Sequence, residues 1–221
     1  MYPVPPVRDP AAYHAWYETP RGAWIGGREA DLLLDLMQPV RGESLLDLGC
    51  GTGWFSARFA AEGLQVTGLD PDRAALDFAR SRYRGIRWVE GHGEHLPFAD
   101  QAFDHCTAVT SLCFVADPAG VVREMWRVSR RSVTLGLLHR GSLLWLSHRG
   151  RGGYRGARWD RASDVRIWIS GLQPEPAVRM AWGVYLPQGG PCARLVEGMM
   201  PGRLPLGSFL AVVLRLPRGE V

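Results

Sequence analysis

Ser44-Leu45-Leu46-Asp47-Leu48-Gly49-Cys50-Gly51-Thr52-Gly53 is a short apolar run that breaks into alternating glycines. It reads as a buried strand and a tight turn. Residues 54–64 follow as a helix, with Phe55, Phe59 and Ala60 on one face and Gly63 as its stop. A strand, a glycine turn and the opening of a helix mark the switch point at which an open α/β sheet binds a ligand. Glycines there let the main chain approach a cofactor that a Cβ would push away. The spacing separates the possible ligands. A dinucleotide fingerprint needs G-x-G-x-x-G, and counted from Gly49 its third glycine falls on Trp54. What stands here is acidic-x-G-x-G-x-G, with no diphosphate to cradle.

Working outward, residues 65–70 form a second strand that closes on Asp70, 17 positions after Gly53 (70 − 53). A carboxylate at that point can accept both hydroxyls of a ribose. Standing alone, Asp70 would equally suit the start of the next helix; joined to the glycine turn, it favours the ribose. Residues 72–83 read as a helix with Ala75, Leu76 and Ala79 inward, 86–91 as a strand, and 103–115 as a segment holding another. A helix over 119–130 and a strand over 132–139 continue the alternation. Strands alternating with helices predict a parallel, doubly wound α/β sheet. Upstream, Leu32, Leu33, Leu36 and Met37 place a helix over 29–40 that Pro39 ends, after an aromatic, proline-rich start. Downstream, a Gly/Arg-rich loop over 148–161 leads to a helix over 162–172 and strand-like runs over 179–186 and 208–216.

The 221 residues suit one domain, 46% hydrophobic and 22% charged. Its expected parts are an N-terminal cover and helix over 1–42, a cofactor core over 43–140, and a flap, helix and final strands over 141–221. No apolar run approaches the roughly 18 residues of a membrane span. Pro and charge interrupt the start where a secretion signal needs an apolar stretch, so a cytoplasmic location is expected. The sequence has no Lys and no Asn. That removes lysine Schiff-base chemistry and the lysine-bearing phosphate loop. It also makes the net charge of +4 weak evidence for a nucleic-acid partner. Cys50, Cys106, Cys113 and Cys192 show no metal-ligand spacing and are expected to be buried, reduced thiols, with no bound metal.

Together, residues 44–53, 66–70, 90–104 and 110–118 resemble class I S-adenosylmethionine-dependent methyltransferases, closest to the methyltransferase type 11 group that includes the ubiquinone and menaquinone C-methyltransferases. The resemblance implies a Rossmann-like, mostly parallel seven-stranded sheet with helices on both faces and an antiparallel last strand. It implies S-adenosylmethionine as cofactor and S-adenosylhomocysteine as product. Gly49, Gly51 and Gly53, with Cys50, would lie under the methionine and adenosine parts, Asp47 would order the turn, Asp70 would hold the ribose and Pro71 would flank the adenine. The group often has Asp where this chain has His92, so the adenine edge falls to His92, Gly93 or Glu94. Thr110 is counted with the cofactor residues.

By the same resemblance the methyl acceptor lies beyond the fourth strand under an N-terminal cover, which nominates Tyr13, Tyr17, Trp24, Leu112 and Phe114, with Ser111 and Cys113 nearby. Leu112 and Phe114 also suit a core, and Tyr13 and Tyr17 a latch on the sheet. Arg21 or Arg28 could pair with the cofactor's carboxylate. His139 is the candidate general base and His14 a second, each without a triad partner in sequence. A small-molecule acceptor is the main expectation. Its rivals are an RNA methyltransferase gripping phosphates with the Arg-rich loop, and a non-catalytic protein that binds S-adenosylmethionine. The sequence leaves the oligomeric state open.

Overall fold

The computed structural model describes residues 9–200 and 202–217. Two helices come first, α1 (Pro10–Glu18) and α2 (Pro20–Met37). Each begins with a proline in its first turn, where the missing N–H costs nothing. Asp9 caps α1 by accepting from the amides of Ala11 and Ala12 at 3.0 and 3.1 Å. Thr19 caps α2 through the Gly22 amide at 3.0 Å. Pro10 and Pro20 therefore open helices rather than loops, and the helix expected at 29–40 starts nine residues earlier (29 − 20).

The core alternates as expected: β1 (Ser44–Leu48), α3 (Trp54–Ala61), β2 (Gln65–Asp70), α4 (Arg73–Arg82), β3 (Arg87–Glu90), β4 (Phe103–Val109), α5 (Pro118–Val128) and β5 (Ser129–Leu138). Then come α6 (Leu143–His148), α7 (Ala162–Ile169), β6 (Ala177–Gly183), α8 (Pro191–Met199) and β7 (Phe209–Arg215). Helices α6 and α8 went unread, although Ser142 caps α6 through the Trp145 amide at 3.1 Å and Pro191 opens α8: each is short and set among glycine-rich loops. All seven strands join one sheet in the order β3-β2-β1-β4-β5-β7-β6. Strands β1 to β5 run parallel, and β7 is antiparallel to both β5 and β6.

Both faces of the sheet are covered, which is why its central strands are almost wholly apolar. One face packs Val121, Val122 and Met125 of α5 with Trp168 of α7. The other packs Ala30, Leu33 and Met37 of α2 with Phe55 and Phe59 of α3. No described helix is long and apolar enough to cross a membrane. Of the four free cysteines, three are buried as expected, but Cys192 is exposed, in the first turn of α8.

A polar network ties the N-terminal ends of the parallel strands, opposite the glycine turn. Asp104 accepts from the Ser44 amide and hydroxyl at 2.9 and 2.8 Å, and pairs with Arg130 at 3.2 Å. Buried His105 donates from Nε2 to Glu43 at 2.8 Å, so its Nδ1, 2.8 Å from the Ser132 hydroxyl, accepts. Burial lowers the His105 pKa below the ordinary value although Glu43 pulls the other way. A depressed folded pKa means the unfolded chain takes the proton first. This contribution is whole above about pH 6.5 and fades as the pH falls. The melting-temperature gap between the wild type and His105→Gln should therefore be widest near pH 7.5 and narrow by pH 5. A gap constant across that range would show that His105 is not held neutral.

Candidate functional site

At the opposite end of the sheet, β1 runs into the glycine turn, where Gly49, Gly51 and Gly53 have φ of +70°, +52° and +79°. Each glycine is required for a different reason. A Cβ on Gly49 would sit 2.3 Å from Cβ of Ser111, and one on Gly53 would sit 2.5 Å from the Trp88 ring. A Cβ on Gly51 would meet nothing within 4 Å. Only Gly51 thus turns bare main chain toward open space, and the other two pack against protein rather than offering a ligand surface.

The turn is fastened to the end of β2. The amides of Gly49 and Cys50 donate to the Leu69 carbonyl at 2.7 and 3.2 Å. Both oxygens of Asp70 are engaged: the Gly51 amide donates to one and the Asp72 amide to the other, each at 2.8 Å. Burial raises the Asp70 pKa, against the pull of these two amides. Each oxygen keeps a further lone pair for a ligand hydroxyl. Asp47 lies behind the turn. It accepts from Ser56 at 2.5 Å and Thr107 at 3.1 Å, and burial pushes it up to about 6. Its two bonds tie β1 to α3 and β4, so it orders the turn from within.

A cleft opens over Gly51, lined by Tyr13, Tyr17, Gly49, Cys50, Gly51, Thr52, Trp54, Phe55, Val109 and Thr110. Its empty space, mouth included, is about 280 Å³. Thr110 follows β4 in the left-handed region, φ +47°, a conformation that strains a β-branched residue by roughly 1–3 kcal/mol. The roof is α1. Tyr17 stacks on Trp54 with centroids 4.7 Å apart, and its hydroxyl lies 3.3 Å from that of Tyr13. Trp54 therefore occupies the position of a dinucleotide fold's third glycine with a ring that carries the roof. His14, buried, binds Thr52 of the turn through Nδ1 at 3.1 Å and Tyr83 through Nε2 at 3.2 Å. Glu18 pairs with Arg82.

Pro71 is half-buried beside Asp70, and His92 and Glu94 are exposed after β3. Gly93 packs close, with room for a Cβ only 3.0 Å from Val121. Other candidates stand elsewhere. Trp24 packs on Gly189 and lies under Arg194, away from the cleft, because it falls on the other side of α2 from Gly26. Leu112 is wholly buried in the main core. Phe114, with Cys113 and Trp159, belongs to a smaller cluster under the 148–161 segment, and burial pushes the Cys113 thiol up to about 12. His139 is buried beside Trp182, donating from Nδ1 to the Gly207 carbonyl at 2.9 Å, and does not line the cleft. With His14 engaged at both nitrogens, neither candidate base faces the opening. Arg28 pairs with Glu197 at 3.6 Å, and Arg21 donates to the Pro187 carbonyl at 2.6 Å.

The Arg-rich segment is partly structural. Arg158 donates to the carbonyls of Val115 and Leu112 at 2.8 Å each and to Asp160 at 2.6 Å. Sequence reasoning overlooked Trp54 and Phe55 as cleft residues, having read them only as the start of a helix. It also passed over Glu29, although Ile25-Glu29-Leu33 at four-residue steps puts a carboxylate in an otherwise apolar stripe.

A bare main-chain floor at Gly51, a ribose-competent carboxylate and an aromatic roof fit a nucleoside ligand carrying a small extension. Residues 46–135 match the family model described as a methyltransferase domain. An uncharacterised protein of Mycobacterium tuberculosis is 38% identical over 167 residues, 72% of this chain and 55% of that protein. A malonyl-[acyl-carrier protein] O-methyltransferase of Serratia marcescens is 32% identical over 155 residues, 69% of this chain and 57% of that enzyme. The chain thus spans about half the length of the curated relatives it matches. In fold, it is similar to an S-adenosylmethionine-dependent methyltransferase, possible histamine N-methyltransferase, of Thermotoga maritima. The TM-score is 0.69 at 20% identity, covering 93% of this chain and 95% of that one. Motif, topology and relatives agree: the chain carries a class I S-adenosylmethionine-dependent methyltransferase domain.

Proposed function

We propose that this chain transfers a methyl group from S-adenosylmethionine to a small-molecule acceptor. The observation that carries the reading is the open main chain at Gly51, clamped to a carboxylate and roofed by tyrosines. Asp70 would hold the ribose, Gly51 and Cys50 would underlie the cofactor, Pro71 would flank the adenine, and His92, Gly93 or Glu94 would meet its edge. S-adenosylmethionine supplies, when bound, an electrophilic methyl on a positively charged sulfur. The protein's part is to position and to exclude water, which can account for about 7–11 kcal/mol of a barrier. The rings of Tyr13 and Tyr17 can steady positive charge by about 0.5–2 kcal/mol per contact. Among the described residues no histidine lines the cleft, so positioning outweighs proton transfer by an imidazole.

The printed names of its relatives point to a carboxylate acceptor in one case and an amine in another. Neither name is of a nucleic acid; the first is of a malonyl group borne on acyl-carrier protein, and only the second is of a free small molecule. The RNA reading is weakened by Arg158, whose guanidinium is spent on Leu112, Val115 and Asp160. Four cysteines without a disulfide support a cytoplasmic setting.

S-adenosylhomocysteine at 100 times its dissociation constant should stabilise the chain by about 2.7 kcal/mol, and NAD should leave its melting temperature unchanged. The reverse pattern would end the methyltransferase reading. Substitutions at the clamp should separate structure from binding. Asp70→Ala removes the acceptor for two loop amides as well as the ribose, so melting temperature and affinity should fall together. Asp70→Asn keeps one acceptor oxygen and turns an NH2 toward the other amide, so it should cost less melting temperature than Asp70→Ala while weakening S-adenosylhomocysteine about tenfold, or about 1.4 kcal/mol. Calorimetric titration giving native affinity in Asp70→Asn would move the ribose site elsewhere.

A further inference from the structure

Helix α2 carries one acid on the face it turns toward the cleft. Gly26 packs so closely that a Cβ there would come 2.8 Å from the Trp54 ring and 3.1 Å from the Tyr17 ring. Glu29 lies three residues on, over the same face, between the buried Ile25 and Leu33 of that stripe. It is half-buried, and among the described residues it has no hydrogen-bond or ion-pair partner. Four other buried or half-buried acids described above are fastened: Asp47 to two hydroxyls, Asp70 to two amides, Glu43 to His105, Glu197 to Arg28 and two amides.

The phenols of Tyr13 and Tyr17 lie on the same side of α2 as this carboxylate, Tyr17 against Gly26 and the two rings edge to face with centroids 5.8 Å apart. Tyr154, from the segment after β5, is close enough to feel the Glu29 charge. Burial raises each of the three phenols, and the Glu29 carboxylate adds to the rise. Burial pushes Glu29 itself up to about 8. A half-buried carboxylate without a partner has lost part of its hydration, and a cation with N–H donors makes good that loss. Aromatic faces add attraction for the same cation, and phenol oxygens can accept its remaining protons. A carboxylate or phosphate ligand would meet Glu29 as a like charge.

We propose that Glu29, with Tyr13, Tyr17 and Tyr154, forms the recognition site for the methyl acceptor, and that the acceptor is an amine bound as its ammonium ion. This rests on the methyltransferase reading above and narrows it to a substrate class. Glu29 binds the positive nitrogen and accepts its proton, which frees the amine lone pair to take the methyl group as the bond from that methyl to the sulfonium sulfur breaks; the three tyrosines shape the walls around it.

The test is a titration of the full chain saturated with S-adenosylhomocysteine, using phenethylamine and a panel of primary and secondary amines, each beside its isosteric carboxylate, led by 3-phenylpropionate. Amines should raise the melting temperature and their carboxylate counterparts should not. Glu29→Gln should weaken the best amine tenfold or more and leave S-adenosylhomocysteine within twofold. Tyr154→Ala should weaken the amine less, with the same cofactor affinity. The proposal is overturned if no amine binds, if the carboxylates bind better, or if Glu29→Gln keeps its amine affinity. It is also overturned if Glu29→Gln loses S-adenosylhomocysteine, because the carboxylate would then serve the cofactor. Failure of the wild type to bind S-adenosylhomocysteine at all is a separate result and falls on the methyltransferase reading instead.

Discussion

Two hydrogen bonds to one carboxylate set the geometry on which the site depends. Asp70 takes the Gly51 amide on one oxygen and the Asp72 amide on the other. The first bond draws the glycine turn after β1 onto the end of β2. The second starts α4 at a fixed place, since Asp72 in turn caps that helix through the amides of Ala74 and Ala75. With the turn fixed, Thr52 is presented to His14, and Trp54 to Tyr17. The roof is therefore referenced to the same carboxylate as the floor. A site that must hold a ligand between main chain and aromatic rings gains from this common anchor, because floor and roof cannot drift independently.

The aromatic start of the chain works through helix α1 rather than through a loose cover. Tyr13 and Tyr17 are one turn apart and reach the same cleft, while His14 between them faces the turn and α4. Trp24 belongs to the next helix and serves a different contact, with Gly189 and Arg194. Closeness in sequence grouped these rings, and helical phase divides them. The same phase places Glu29 with Tyr17 and Trp54.

The parallel core was legible because its signals are local. A buried strand that breaks into glycines, and an acid closing the next strand, need only a few residues to be seen, and β2 runs over the expected residues 65–70. The count of seven strands and the antiparallel last strand followed from the resemblance and stand in the sheet. Helix α1 was hidden by Pro10, which reads as a breaker unless Asp9 is recognised as the cap before it. The roles of Arg28, Arg158 and His139 were illegible for a different reason. Each is decided by a partner distant in sequence or by a main-chain carbonyl: Glu197 for Arg28, Leu112 and Val115 for Arg158, Gly207 for His139. A backbone acceptor leaves no residue type for a reader of sequence to find.

The place of β7 in the sheet bears on the order in which the molecule can assemble. Strands β1 to β5 can pair as they emerge, each beside a strand already made. Strand β6 cannot, because its neighbour in the sheet is β7, which lies 26 residues further along (209 − 183). Until residues 209–215 arrive, the open side of β5 and the whole of β6 carry unpaired main-chain groups. The late strand then enters between them and is buried along almost its entire length. A closing step between segments so far apart in sequence is slow in entropic terms, and exposed strand edges invite pairing with other chains. The stage at which this chain is most open to aggregation is therefore the interval before its last strand is inserted, well after the glycine turn and its carboxylate clamp can have formed.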